Sequence, residues 1–227
     1  SVLLIDLNIA YGDAAVFLGI ETRFSIADAL ENIDRIDEAF LRSIVARTKT
    51  GLDVLASSDR PVIGHVDARA VRKIVDCASR YYPVVILDVS RADAAILDAL
   101  DQTTRIVIVA NQELATVRSA GRMATALRQR YGKARVAIVV NRFDHAAEIG
   151  RKDVERVMGG PIADTFPSSY RLALDALNKG RPLVLDNHSK LAAAYSTFAR
   201  SPAQRPATEP LVPERPGGLF GRLSLRS

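Results

Sequence analysis

Hydrophobic residues fall along this chain in two alternating rhythms. Four stretches run apolar without a polar face and stop on a polar residue: Val2 to Asp6, Tyr82 to Asp88, Arg105 to Asn111 and Arg135 to Arg142. Continuous aliphatic runs of this length predict parallel strands buried on both faces. Between them the spacing changes to the helical period. Asp67 to Arg80 puts Ala70, Val71, Ile74, Val75 and Ala78 on one side, and Glu113 to Tyr131 does the same with Leu114, Val117, Ala120, Met123, Ala124 and Leu127. Shorter helices are predicted after an N-cap at Ser25, over Ile36 to Ala46, over Arg151 to Met158, over Tyr170 to Asn178 with Gly180 as its C-cap, and near Leu191 to Ala199. Gly51 to Ala56 and Ile162 to Phe166 read as further short strands, and Ala14 to Gly19 as a short apolar segment. Strands alternating with amphipathic helices imply an α/β fold, a doubly wound and mostly parallel sheet with helices on both faces.

The rhythm stops near residue 200. Five prolines follow between Ser201 and Pro216, and the chain closes on Gly217-Gly-Leu-Phe-Gly-Arg-Leu-Ser-Leu-Arg-Ser227. The expected organisation is one domain over residues 1–200 and a disordered Pro-rich tail over 201–227 with a short apolar and basic end. That end could form an amphipathic helix over Gly218 to Arg226 for a membrane or a partner, but the two glycines in that stretch favour disorder.

Composition narrows the picture only a little. With 227 residues, 48% hydrophobic and 25% charged, the chain is long enough for one sizeable core. A net charge of +5 permits anionic partners but is modest for the length. The single cysteine, Cys77, excludes a disulfide framework and fits a reducing cytoplasm. No apolar run approaches the roughly 20 residues of a membrane span. His65, His145 and His188 are scattered, so neither a histidine cluster nor a Cys pair offers a metal site. A Gly-x-Ser-x-Gly elbow is also lacking.

In an open parallel sheet, ligands bind beyond the carboxyl ends of the strands. The polar residues that terminate the apolar runs are therefore the candidates: Asp6, Asn8, Asp88, Asn111, Asn141 and Arg142. An aspartate held at such an end suits a magnesium-water contact in a nucleotide site, although many strands end in Asp only to cap the next helix. A phosphate loop of the form Gly-x4-Gly-Lys-Ser/Thr, which wraps backbone N–H groups around phosphates, is absent from these 227 residues.

Four motifs in order carry a resemblance. The opening Val-Leu-Leu-Ile-Asp6-Leu-Asn8-Ile-Ala-Tyr-Gly-Asp13 resembles the second strand of the MinD/ParA deviant Walker ATPases, in particular the CpaE/TadZ pilus-assembly branch. Tyr82-Pro-Val-Val-Ile-Leu-Asp88 resembles its Walker B strand, and Val139-Val-Asn141-Arg142-Phe143 its adenine-side motif. Phe166-Pro167-Ser-Ser-Tyr170-Arg171 through Asn178-Lys-Gly180-Arg-Pro182-Leu183 resembles the segment that follows. The likeness spans about residues 2 to 199.

The resemblance implies a P-loop NTPase fold whose first strand and phosphate loop precede this stretch, so the chain is expected to be a fragment that binds ATP poorly or not at all by itself. Asp88 would hold Mg through water, Asn141 and Arg142 would face the adenine, Pro167 would lie against the base, and Asp6 would sit behind the phosphates. Asn8 departs from the pattern by replacing the aspartate that orients attacking water, and an amide cannot take up its proton. Ser168 and Ser169 replace the usual Asn-Asp. In its full-length form the protein is then expected to be an ATP- and Mg-dependent homodimeric switch with weak or absent hydrolysis. It would place Flp/Tad-type pilus-assembly proteins from the cytoplasm, at the inner face of the membrane or a cell pole. Two alternatives stay open: a pseudo-ATPase scaffold for protein contacts, and a ParA-like ATPase binding DNA non-specifically. The second needs a basic stripe, for which Arg118, Arg122, Arg128, Arg130 and Lys133 are the best set. A solvated helix face is the favoured reading of that set, so DNA is not among the expected partners.

Overall fold

The structure is a computed structural model and describes residues 1–9, 11–58, 67–89, 97, 100–185 and 188–201. The expected tail beyond Ser201 and most of the loop after Ser57-Ser58 lie outside the described residues.

The apolar runs form strands where the rhythm places them. They are β1 (Val2–Asp6), β2 (Ala46–Arg47), β3 (Leu52–Leu55), β4 (Val84–Asp88), β5 (Ile106–Ala110), β6 (Val136–Phe143) and β7 (Asp164–Pro167). The helices are α1 (Ala14–Phe17), α2 (Ile26–Glu31), α3 (Glu38–Ile44), α4 (Ala68–Tyr81), α5 (Leu114–Tyr131), α6 (Arg151–Met158), α7 (Tyr170–Asn178) and α8 (Lys190–Arg200). Caps set several boundaries. Ser25 and Asp28 make a reciprocal capping box for α2, the Asp37 carboxylate accepts from the Phe40 N–H at the start of α3, and Asp67 accepts from the Arg69 N–H at the start of α4. Gly180 ends α7 at φ +57, as its position predicts. Ala14 to Gly19 holds a helical turn, and the short edge strand β2 pairs antiparallel with β3.

The α/β fold with parallel sheets and helices is as the sequence predicts, and the strands divide into two half-sheets. One has the order β2-β3-β1-β4 and the other β5-β6-β7. All pairs except β2–β3 are parallel. Among the described residues the outer edge of β4 and the outer edge of β5 have no hydrogen-bonded neighbour.

Burial shows how the two halves lie. Leu3 and Ile5 of β1, with Leu7 just beyond it, pack with α2, α3 and α4 in one core, while Ile106, Ile108 and Ala110 of β5 pack with α5 and α6 in another. Leu87 and Val89 touch both cores, so these faces of the half-sheets point the same way. The residues between them therefore share the opposite face. There α8 covers β6 and β7, with Leu191 against Val139 and Phe166, and Phe166 stacked on Tyr195 at 4.5 Å. Over β4 and β5 no described residue covers the same face. Val84, Ile86, Val107 and Val109 are 48, 49, 37 and 61% exposed. Central strands normally bury both faces, so this is an apolar surface with nothing described upon it.

Candidate functional site

At the carboxyl end of β1 the chain folds back around its own aspartate. Asp6 is fully buried, and its two carboxylate oxygens accept the Asn8 and Ala14 backbone N–H groups at 3.0 and 3.2 Å. Burial pushes its pKa up, against the pull of these two hydrogen bonds, and the nearby Asp88 and Asp13 push the same way. Ser57, at the end of the chain leaving β3, donates to the Gly12 carbonyl at 2.6 Å and ties the loop to the next strand. Asp6 thus anchors the loop that carries Asn8, with both oxygens occupied. Asn8 itself is half-buried, and its carbonyl accepts from the Tyr11 N–H.

Asp88 stands beside Asp6 in the parallel register of β1 and β4 but in a different setting. It is exposed and its carboxylate makes no hydrogen bond or ion pair among the described residues. A free carboxylate at a strand end fits Mg held through water, whereas the occupied oxygens of Asp6 do not fit direct ligation. No group of three or more His, Cys, Asp and Glu side chains among the described residues could hold a metal by itself, so Mg would need ligand oxygens from a phosphate. Bound there, the ion would neutralise phosphate charge.

The other candidates lie on the second half-sheet. Asn141 is half-buried and its Oδ1 accepts from the Arg142 N–H at 3.0 Å. Arg142 is exposed and left-handed at φ +51, the single non-glycine residue with positive φ among those described. Strain of this kind persists only where neighbours hold it. The β6–β7 register is irregular between Val140 and Phe143, which turns the strand end outward. Phe143 then pairs with Pro167, and its carbonyl accepts from the Ser168 N–H at 3.2 Å. Asn141, Arg142 and Pro167 are therefore brought together on one rim, and Asp6, Asn8 and Asp88 on another.

A backbone contact joins the loop beyond β1 to the helix beyond β7. Gly19 and Gly180 face each other so closely that a Cβ on Gly19 would come 2.3 Å from the Gly180 carbonyl oxygen. The strand-end rule missed this pair, Gly12, Ser57 and Gln112, whose contacts depend on chain reversals that no local pattern encodes. Gln112 follows directly on the candidate Asn111, and only its longer side chain reaches the loop after β6. An open hollow lined by Arg35, Asp37, Ala39, Phe40 and Ser43 shares no residue with the strand ends.

The basic set on α5 is broken up by internal contacts. Arg128 donates to the Met158 carbonyl at the end of α6, and Arg130 pairs with Asp101 at 3.4 Å while lying over the Tyr131 ring. No helix among the described residues is long and apolar enough to cross a membrane.

Solved structures with this arrangement are ATPases of division and partition. The chain matches a ParA family ATPase from Chlorobium tepidum TLS with a TM-score of 0.78 at 23% identity, over 87% of this chain and 85% of that one. The MinD cell division protein of Aquifex aeolicus matches at 0.70 and 24%, over 88% and 84%. The septum site-determining protein MinD of Pyrococcus horikoshii OT3, solved with Mg-ADP, matches at 0.73 and 18%, over 87% and 81%. No family model and no curated protein matches the sequence. The shared property is the fold, that of the MinD and ParA P-loop ATPases.

Proposed function

We propose that this chain is the larger part of an ATP-dependent localisation switch of the CpaE/TadZ kind, completed by a phosphate-loop strand seated between β4 and β5. The observation that carries the reading is the pair of strand edges that no described residue pairs, flanked by exposed apolar faces, with the candidate residues at the strand ends on either side. The connection from β3 to β4 crosses β1 with α4 on the core face. A right-handed connection running the opposite way, from a strand beyond β4 back to β1, places its helix on the other face, the bare one. A strand followed by a helix would fill both gaps at once and bring backbone N–H groups to phosphates between Asp88 and Arg142.

In this reading Asp88 holds Mg through water, Asn141 and Arg142 face the adenine, and Pro167 lies against the base. Asp6 shapes the loop behind the phosphates, and Asn8 positions water without accepting its proton, so turnover is weak or absent. The switch is a homodimer that places Flp/Tad-type pilus-assembly proteins, working from the cytoplasm at the inner membrane face or a cell pole. Residues 217–227 supply any peripheral membrane contact.

The test is an ATP-Mg titration of a polypeptide carrying a phosphate-loop strand ahead of Val2, beside one of the 227-residue chain. Binding by the first and none by the second is expected. If the first binds no ATP with its loop intact, the switch is overturned in favour of a pseudo-ATPase scaffold, a reading that the occupied Asp6 and the neutral Asn8 favour. The internal contacts of Arg128 and Arg130 weigh against a DNA-binding stripe.

A further inference from the structure

Two buried side-chain polar atoms among the described residues have no hydrogen-bond partner, Asp76 Oδ1 on α4 and Arg105 Nε. The second is the more telling, because a guanidinium taken out of water without an acceptor is costly. Arg105 is half-buried and makes no hydrogen bond or ion pair among the described residues. The acceptors four residues earlier are already taken: the Asp101 carboxylate pairs with Arg72 and Arg130, and its carbonyl accepts from Arg135. Burial pushes the Arg105 pKa down, and no carboxylate offsets it.

The place of Arg105 in the sheet says from which side an acceptor must come. It directly precedes β5, at the amino end of that strand, and Ile106 and Ile108 are buried in the core beside α5 and α6. Strand alternation therefore puts Arg105 on the side of Val107 and Val109, the face that no described residue covers. In the completed sheet proposed above, the helix that follows the phosphate loop starts at the carboxyl ends of β4 and β5. It returns across this face to the amino ends, where Val2 opens β1 opposite Val84. Its last turn arrives near Arg105 with its final carbonyls unpaired and the negative end of its dipole outward. We infer that Arg105 receives the carboxyl-terminal end of the helix ahead of Val2, its guanidinium donating to carbonyl oxygens of the last turn. That a helix arrives there rests on the reading above; the unpartnered guanidinium does not.

The experiment makes Arg105→Met, which keeps an apolar stem and removes the cation, and Arg105→Lys, which keeps the charge. Each is made in the 227-residue chain and in the polypeptide that carries the phosphate-loop strand and its helix ahead of Val2, and urea unfolding is measured. In the 227-residue chain Arg105→Met is expected to leave the midpoint unchanged or raise it, because a buried cation without a partner is removed. In the longer polypeptide the same substitution is expected to raise the unfolded-to-folded ratio about tenfold or more, the scale of a hydrogen bond to a charged group. Arg105→Lys is expected to lose less there, a contrast that is read in the longer polypeptide alone. Losses of equal size in the two polypeptides, no loss in the longer one, or equal losses for the two variants within it would each overturn the inference. An Arg105→Met variant that folds only without the added segment supports it, and one that folds in neither context overturns it. ATP-Mg binding by the unaltered longer polypeptide separates this contact from the nucleotide reading. Binding with no effect of Arg105 removes the contact alone, whereas the expected effect without binding keeps the contact and removes the switch.

Discussion

Gly12 lies against the carboxylate of Asp6 so closely that a Cβ there would come 2.3 Å from each of its oxygens. The backbone of Gly12 is not left-handed, so the requirement is for space alone. The loop beyond β1 closes because a residue without a side chain passes over a buried acid whose oxygens hold Asn8 and Ala14. Gly12→Ala is expected to destabilise the protein by about 1–3 kcal/mol, the range for forcing a methyl into a packed site. Gly150→Ala, whose Cβ would make only an ordinary contact at 3.6 Å from Asp153, is the control and should cost less, about 0.5–1 kcal/mol for an alanine at the N-cap of α6. Urea unfolding of the two variants measures the difference.

Tyr82 and Asp53 give the fold a pH dependence at the alkaline end. The Tyr82 hydroxyl donates to Asp53 at 3.0 Å, and both residues are buried. Desolvation first, and then the hydrogen bond to Asp53, push the Tyr82 pKa from 10.0 up to about 12. A folded-state value above the unfolded one stabilises the protein fully below pH 10, and the stabilisation is lost as pH rises from 10 through about 12. The displacement corresponds to about 2–3 kcal/mol at most. Tyr82→Phe should remove this part of the alkaline slope in denaturant melts, and should lower stability at pH 7 by about 1–3 kcal/mol because Asp53 loses a donor in a buried place. An unchanged slope would mean that the Tyr82 hydroxyl does not govern it.

The contact between Gly19 and Gly180 predicts a coupling. Both are left-handed, at φ +61 and +57, and each meets the other's backbone. Alanine at either position brings both backbone strain and a clash, about 2–4 kcal/mol together. The double variant should be destabilised by less than the sum of the two, because relief of one clash moves the partner that makes the other. A double-mutant cycle from equilibrium unfolding reads the coupling, and strict additivity would show that the loop and α7 respond independently.

The sequence was legible where a physical cause is local. The aliphatic runs that stop on Asp6, Asp88, Asn111 and Arg142 became strands ending at Asp6, Asp88, Ala110 and Phe143, because such runs favour burial in a parallel sheet. Ser25 and Gly180 were legible as helix ends because their groups act within a turn of themselves, whereas Asp37, inside the expected helix Ile36 to Ala46, proved to be the cap that starts it at Glu38. The strand-end rule also found Asp6 and Asp88 in register and Arg142 on a turned-out rim. It could not separate the roles of the two aspartates. Asp6 is occupied by N–H groups two and eight residues away, and only the folded loop shows that Asp88 is the free one. The division into two half-sheets was not legible in the hydrophobic pattern, because β4 and β5 read alike whether or not a strand lies between them.

Asn8 gives the sharpest test of the proposed mechanism. Its tie to Asp6 runs through its backbone N–H, so exchanging its side chain removes no hydrogen bond that anchors the loop. Asn8→Asp adds one carboxylate in nearly the same volume at a half-buried position beside Asp6, whose pKa is already raised by burial. Two consequences follow from the added charge. Asp6 should be driven further toward its protonated form, which weakens its hold on the Asn8 and Ala14 N–H groups and lowers stability at pH 7 by about 1 kcal/mol. In the polypeptide that carries a phosphate loop, the new carboxylate can accept a proton from water, a contribution of about 100-fold or more where general-base catalysis limits the rate. ATP turnover should therefore rise while ATP affinity changes by less than about threefold, since the proposed function puts the base and Mg contacts at Arg142 and Asp88. Single-turnover hydrolysis and equilibrium binding separate the two quantities. A variant that binds ATP as before and still does not hydrolyse it would show that Asn8 is not what holds turnover down.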